Sequence, residues 1–165
     1  MPRAVHAVLF DLDGVLVESK DATERVWLDW AARHGIEPDE LRAAMHGVRS
    51  AEVVRALRPE LDPEEESAQI ERLQAEDVEG LRAIPGAAAA LASLDPARVA
   101  VVTSGTRPLA LARLAAVGIE PPHVIVFAGD VERGKPDPEG YLAAARRLRV
   151  PPADALVVED APAGV

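Results

Sequence analysis

Four polar clusters in this sequence carry residue types that can do chemistry together. They are Asp11-Leu12-Asp13-Gly14, Thr103-Ser104-Gly105-Thr106, Asp130 followed by Gly134-Lys135-Pro136, and Glu159-Asp160. A carboxylate such as Asp11 can attack phosphorus and form an aspartyl-phosphate. Nucleophile and phosphate are both anions, and Mg2+ relieves that repulsion through hard oxygen ligands. Asp11 and Asp160 are the side chains available for the ion. Asp13 can protonate a leaving oxygen and later activate water. Thr103 or Ser104, with Lys135, supply donors and positive charge for phosphate oxygens. Gly14 lets the backbone approach closely. There is no cysteine, so disulfides, thiolate metal sites and a cysteine nucleophile are excluded.

Each cluster follows a short apolar run. The runs cover residues 5–10, 99–102, 124–127 and 156–158, and each is near-continuous, as expected of strands covered on both faces. Helical patterns at residues 107–117 and 139–148 separate the later runs, which predicts a parallel, doubly wound α/β sheet. In such a sheet ligands bind at the carboxyl ends of the strands. Four clusters placed there converge on one cleft.

Residues 19–82 break the rhythm, with no strand-like run. Val26, Trp27, Trp30, Ala31 and His34 share a helical face, and Gly35 stops it. Asp62-Pro63 opens an acidic helical stretch expected to run through Leu73 and Leu81. Pro85-Gly86 closes the insertion, and residues 87–94 read as a core helix. The expected organisation is an α/β core of residues 1–17 and 84–165 with an inserted helical cap over residues 18–83.

Each cluster also has a purely structural reading. Asp11-Leu12-Asp13-Gly14 can be a strand-ending turn, and Thr103-Ser104-Gly105 a helix cap. Lys135 can be a solvated lysine, and Asp137-Pro138 a helix start. Trp27 and Trp30 read as cap core, and Glu64-Glu65-Glu66 as a solvated helix N-terminus. His6, His34 and His123 read as structural. The joint placement of the clusters, rather than any one of them, carries the functional signal.

Together with Asp137-Pro138, Val15-Leu16 and Val158-Glu159-Asp160-Ala161, these clusters resemble the four signature motifs of the haloacid dehalogenase superfamily. The cap position is that of its β-phosphoglucomutase-like branch, and the resemblance covers essentially the whole chain. It implies Asp11 as nucleophile, Asp13 as general acid/base with its backbone carbonyl on the metal, and Asp160 as the second magnesium carboxylate. Thr103 matches the phosphate-binding hydroxyl, with Ser104 and Gly105 beside it, and Lys135 matches the motif lysine. Asp13 argues against a dehalogenase, because a departing halide needs no proton. Mutases carry a histidine twelve positions after the nucleophile, where this chain has Thr23. His46-Gly47-Val48-Arg49, Thr106-Arg107, Gly140-Tyr141-Leu142 and Pro162-Ala163-Gly164 look like features of glycerol-phosphate and 2-deoxyglucose-phosphate phosphatases. By that likeness His46 and Arg49 are cap residues that meet the substrate.

The expectation is therefore a Mg2+-dependent hydrolase of a small sugar or polyol phosphate. A phosphosugar mutase is the enzymatic alternative, and an inactive phosphometabolite-binding fragment the non-enzymatic one. Relatives of this kind continue past the fourth motif, so a truncated C-terminus is expected. With 28 acidic and 18 basic residues the net charge is −10, which disfavours nucleic acid and anionic membranes as partners. No run approaches the ~20 apolar residues of a membrane span, and no signal peptide is recognisable. The expected protein is a cytoplasmic monomer whose partner is a small phosphorylated metabolite.

Overall fold

The computed structural model describes residues 4–45 and 47–161. His46 and the 162–164 stretch lie outside the described residues. The strands are β1 (Ala7–Phe10), β2 (Val17–Glu18), β3 (Arg82–Ala83), β4 (Val99–Val102), β5 (Val124–Val126) and β6 (Ala155–Val158). The helices are α1 (Lys20–Arg33), α2 (Pro38–Ala44), α3 (Ser50–Leu57), α4 (Pro63–Glu76), α5 (Ala87–Ala92), α6 (Arg107–Ala116) and α7 (Glu139–Leu148).

Four strands form one sheet in the order β5-β4-β1-β6, all pairs parallel. Alternate residues of each run serve opposite faces, which is why the runs are apolar throughout. Val99, Val101 and Ile125 join Ala110 and Leu114 of α6 on one side. Leu9, Ala100, Val102 and Val126 meet Ala143 and Ala144 of α7 on the other. With almost no aromatic side chains, alanine-faced helices can lie close to valine-rich strands. Strand β6 is outermost among the described strands, and Leu156 and Val157 are exposed, so its run is not covered as the other three are.

Helices α1–α4 pack around a cluster of their own, with Trp27, Trp30, Leu41, Val54 and Ile70 buried. Trp27 and Trp30 meet edge-to-face, ring centroids 5.4 Å apart, an arrangement favoured by the ring quadrupoles. The Trp30 indole donates to Glu66 Oε2 at 2.8 Å. Asp62 caps α4 by accepting from the Glu64 and Glu65 amides. Helix α4 ends at Glu76 and does not reach Leu81. Arg25 draws the Asp77 carboxylate away with bonds of 2.9 and 3.0 Å, and Gly80 turns left-handed at φ 80°. Helix α5 likewise stops short of residue 94.

The sequence pattern does not anticipate β2 and β3. They form a two-residue antiparallel ladder, Val17 with Ala83 and Glu18 with Arg82. It fastens the chain where it leaves the sheet to the chain where it returns. Among the described residues, no helix is long and apolar enough to cross a membrane.

Candidate active site

The loops that follow β1, β4, β5 and β6 at their carboxyl ends bring Asp11, Asp13, Ser104, Gly105, Lys135 and Asp160 to one cleft of about 490 Å3. Its opposite wall comes from the inserted helices and includes Lys20, Glu24, Trp27, Arg42 and Val53. A cleft of this size suits a small metabolite.

Asp11 is 6% exposed, and its amide donates to the Val158 carbonyl, which fixes the strand end against β6. Lys135 Nζ, equally buried, donates to Asp11 Oδ1 at 2.7 Å and to Glu159 Oε2 at 2.6 Å. Tyr141 also donates its hydroxyl to Glu159 Oε2, and the Ala161 amide donates to Oε1. Burial pushes the Asp11 carboxyl up to about 7; Lys135 counteracts that and the Glu159 charge adds to it. Burial also raises Glu159, but the bonds from Lys135 and Tyr141 outweigh it and hold its carboxyl below the usual range. Burial and the neighbouring Glu159 raise Asp160. Tyr141 is driven far up, first by burial and then by the Glu159 bond, so its hydroxyl keeps its proton and donates it.

Oxygens of Asp11, Glu159 and Asp160 come within 4.8 Å of one another. Of these, Glu159 is already occupied by Lys135, Tyr141 and Ala161, which leaves Asp11 and Asp160 as the freer carboxylates. Gly14 makes room for the pair: at φ 82° its hypothetical Cβ would lie 2.0 Å from Asp160 Oδ2. This all-oxygen cradle fits the hard-cation chemistry of Mg2+.

Asp13 is half-buried beside the cleft, and its Oδ1 accepts from Ser19 Oγ at 2.6 Å and lies 2.6 Å from Arg113 Nη1. Thr103 is buried, with its Oγ1 turned to the Gly105 amide at 3.1 Å. It is not part of the cleft wall, whereas its neighbour Ser104 is. Ser104 donates to the Gly47 carbonyl at 3.1 Å across to the inserted segment. Asp130 turns away from the cleft to the Phe127 amide and Arg147.

Arg49 departs from its expected place. Its guanidinium reaches over the β5–α7 loop and donates to the carbonyls of Val131 and Glu132 at 2.9 and 3.0 Å. It packs on Gly134, whose hypothetical Cβ would lie 2.8 Å from Nε, and it does not line the cleft holding Asp11. The structure therefore joins Arg49 to the neighbourhood of Lys135 from behind.

Arg113, Ser19, Gln74 and Glu71 belong to no motif in the sequence, yet they meet at this site. Arg113 carried a signal: it shares the buried face of α6 with Leu109, Ala110 and Leu114, where an arginine is stable only if paired.

A parallel sheet with an acid–lysine centre at its carboxyl edge and a helical insertion after the first strand defines a hydrolase of the haloacid dehalogenase type. The chain belongs to that family: the model of haloacid dehalogenase-like hydrolases matches residues 5–165. It is 46% identical over 162 residues to hexitol phosphatase A of Escherichia coli, covering 95% of this chain and 75% of that protein. Similarity to 2-deoxyglucose-6-phosphate phosphatase 2 of Saccharomyces cerevisiae is 35% over 188 residues, covering 100% of this chain and 76% of the yeast protein. A Thermotoga maritima structure of the beta-phosphoglucomutase type superposes with a TM-score of 0.67 at 32% identity, covering 97% of this chain and 78% of that one.

Proposed function

We propose that this chain is a Mg2+-dependent phosphatase that hydrolyses a small sugar or polyol phosphate through an aspartyl-phosphate on Asp11. The observation that carries the reading is the buried Lys135 held between Asp11 and Glu159, with Asp160 beside them, at the floor of a cleft. Asp11 attacks phosphorus while the bond to the ester oxygen breaks, and Asp13 gives that oxygen its proton. Water then attacks the phosphorus of the aspartyl-phosphate, Asp13 takes a proton from it, and phosphate leaves with Asp11 restored.

Lys135 aligns the Asp11 carboxylate and offers charge to the transferring group, and Glu159 and Tyr141 keep the ammonium in place. The Thr103–Gly105 turn, which meets the cleft through Ser104 and Gly105, would hold the phosphate once the Ser104 hydroxyl leaves the Gly47 carbonyl. Asp11, Asp160 and the Asp13 carbonyl would hold Mg2+, which supplies charge neutralisation between the carboxylate and the phosphoryl oxygens. Residues 18–83 serve as a cap over the core of residues 1–17 and 84–165. Its polar and aromatic wall at Lys20, Glu24, Trp27 and Arg42 suits a hydroxylated carbon chain, in keeping with the hexitol and deoxyhexose phosphatases among the relatives.

Hydrolysis is favoured over a mutase reaction by Thr23, which stands where mutases carry histidine. Its hydroxyl is committed to Arg113 at 2.7 Å and has no side-chain base to offer the cleft. Phosphate release from sugar and polyol phosphates, with and without Mg2+, tests the proposal. Isomerised sugar phosphate without free phosphate would replace it with the mutase reading.

A further inference from the structure

Arg113 is 5% exposed in the middle of α6, and its guanidinium is shared among three side chains from three segments. Nη1 lies 2.6 Å from Asp13 Oδ1, in the loop after β1. Nη2 donates to Thr23 Oγ1 of α1 at 2.7 Å and to Gln74 Oε1 of α4 at 2.8 Å. Toward the N-terminal end of α6, Glu71 of α4 accepts from the Thr106 amide at 2.9 Å, so α4 is seated on α6 at two points. Ser19 donates to the same Asp13 oxygen that Arg113 holds. No hydrogen bond from a described residue reaches Asp13 Oδ2.

We propose that Arg113 is a positioning residue for the reaction, tying the acid/base carboxylate to the seated cap; this rests on the phosphatase reading above. The Ser19 hydroxyl and the paired Arg113 guanidinium pin one oxygen of Asp13, and the other is left to carry the proton between leaving group and water. Thr23 and Gln74 steer the guanidinium that does the pinning, so Asp13 is held in place only while α1 and α4 sit on α6. Arg113 touches no reacting atom. Its influence passes through Asp13, and its loss should matter in proportion to how much the leaving group needs a proton.

The test compares two esters. The alkoxide leaving sorbitol 6-phosphate must be protonated, whereas the nitrophenolate leaving p-nitrophenyl phosphate departs without help. Arg113→Met is expected to lower kcat/KM on sorbitol 6-phosphate by about 10²-fold, at the lower end of general-acid effects, and on the nitrophenyl ester by less than about threefold. Arg113→Lys, which keeps the charge but not the fork, is expected to recover part of the selective loss. In an Asp13→Asn background, Arg113→Met should cost little more, because the two residues act as a unit. Equal losses on both esters, or additive losses in the double variant, would overturn the assignment and leave Arg113 a packing residue. If Arg113→Met does not fold, Arg113→Lys carries the same comparison. A wild-type chain that releases phosphate from neither ester overturns the phosphatase reading and this proposal with it.

Discussion

Replacing Gly14 by alanine isolates the geometry on which the proposed Mg2+ site depends. The new Cβ would sit 2.0 Å from Asp160 Oδ2 and 2.4 Å from its Cγ, so the Asp160 carboxylate has to retreat by about 1 Å to reach a tolerable contact. Alanine at φ 82° adds about 1–2 kcal/mol of backbone strain. At about 2–4 °C per kcal/mol for a chain of this size, melting should fall by several degrees. Mg2+ tolerates little departure from ligand distances near 2.1 Å, and displacing Asp160 from behind, as a change in an outer-shell neighbour does, should weaken its binding by about 10- to 100-fold. Gly80→Ala provides the control. It has the same left-handed backbone, φ 80°, with nothing within 4 Å of the new Cβ. It should lower the melting temperature comparably and leave Mg2+ binding unchanged. Calorimetric Mg2+ titration and melting curves of both variants read the two effects apart. A Gly14→Ala protein that binds Mg2+ as tightly as the Gly80→Ala protein would show that Asp160 does not hold the metal.

Three further outcomes follow from the site. Burial raises the Asp11 carboxyl to about 7, and a carboxyl raised on folding contributes stability that is complete below its unfolded value, 3.8, and is lost as pH rises through 7. The metal-free protein should therefore lose on the order of a few kcal/mol across that window relative to Asp11→Asn. Mg2+ requires the ionised carboxylate, so its affinity should climb by up to about tenfold per pH unit below 7 and level off above. Matched pH slopes in melting for wild type and Asp11→Asn would contradict this. Arg49→Ala removes two charge-assisted bonds to the Val131 and Glu132 carbonyls. It should cost about 1–3 kcal/mol of stability and slow sugar-phosphate and p-nitrophenyl phosphate turnover alike. A loss confined to the sugar phosphate would put the guanidinium on the substrate after all.

The sheet was legible in the sequence where both of its faces are covered, so β1, β4 and β5 announce themselves as unbroken apolar runs. The positions of Asp11 and Asp160 follow from the rule that polar residues just past parallel strands meet at one edge, whereas Lys135 lies nine residues beyond β5 and is brought there by the β5–α7 loop. What escaped depends on contacts far apart in the chain. A two-residue ladder such as β2–β3 has no period to detect. Arg49 could be placed on the inserted segment, but its target depended on where that segment lands over the β5–α7 loop. Arg113 meets Asp13, Thr23 and Gln74 only because α6 lies under α1 and α4. A charged residue on an otherwise apolar helix face was the sole hint.

The proposed role of Asp11 is that of phosphoryl acceptor in a magnesium-dependent hydrolase. Phosphate release from a panel of hexitol, deoxyhexose and glycerol phosphates, with and without Mg2+, tests it most directly when Asp11→Asn is run beside the wild type. Mg2+-dependent release by the wild type, strongest on a sugar or polyol phosphate, is expected, with none from Asp11→Asn. Release that persists in Asp11→Asn, or that does not require the metal, would contradict it.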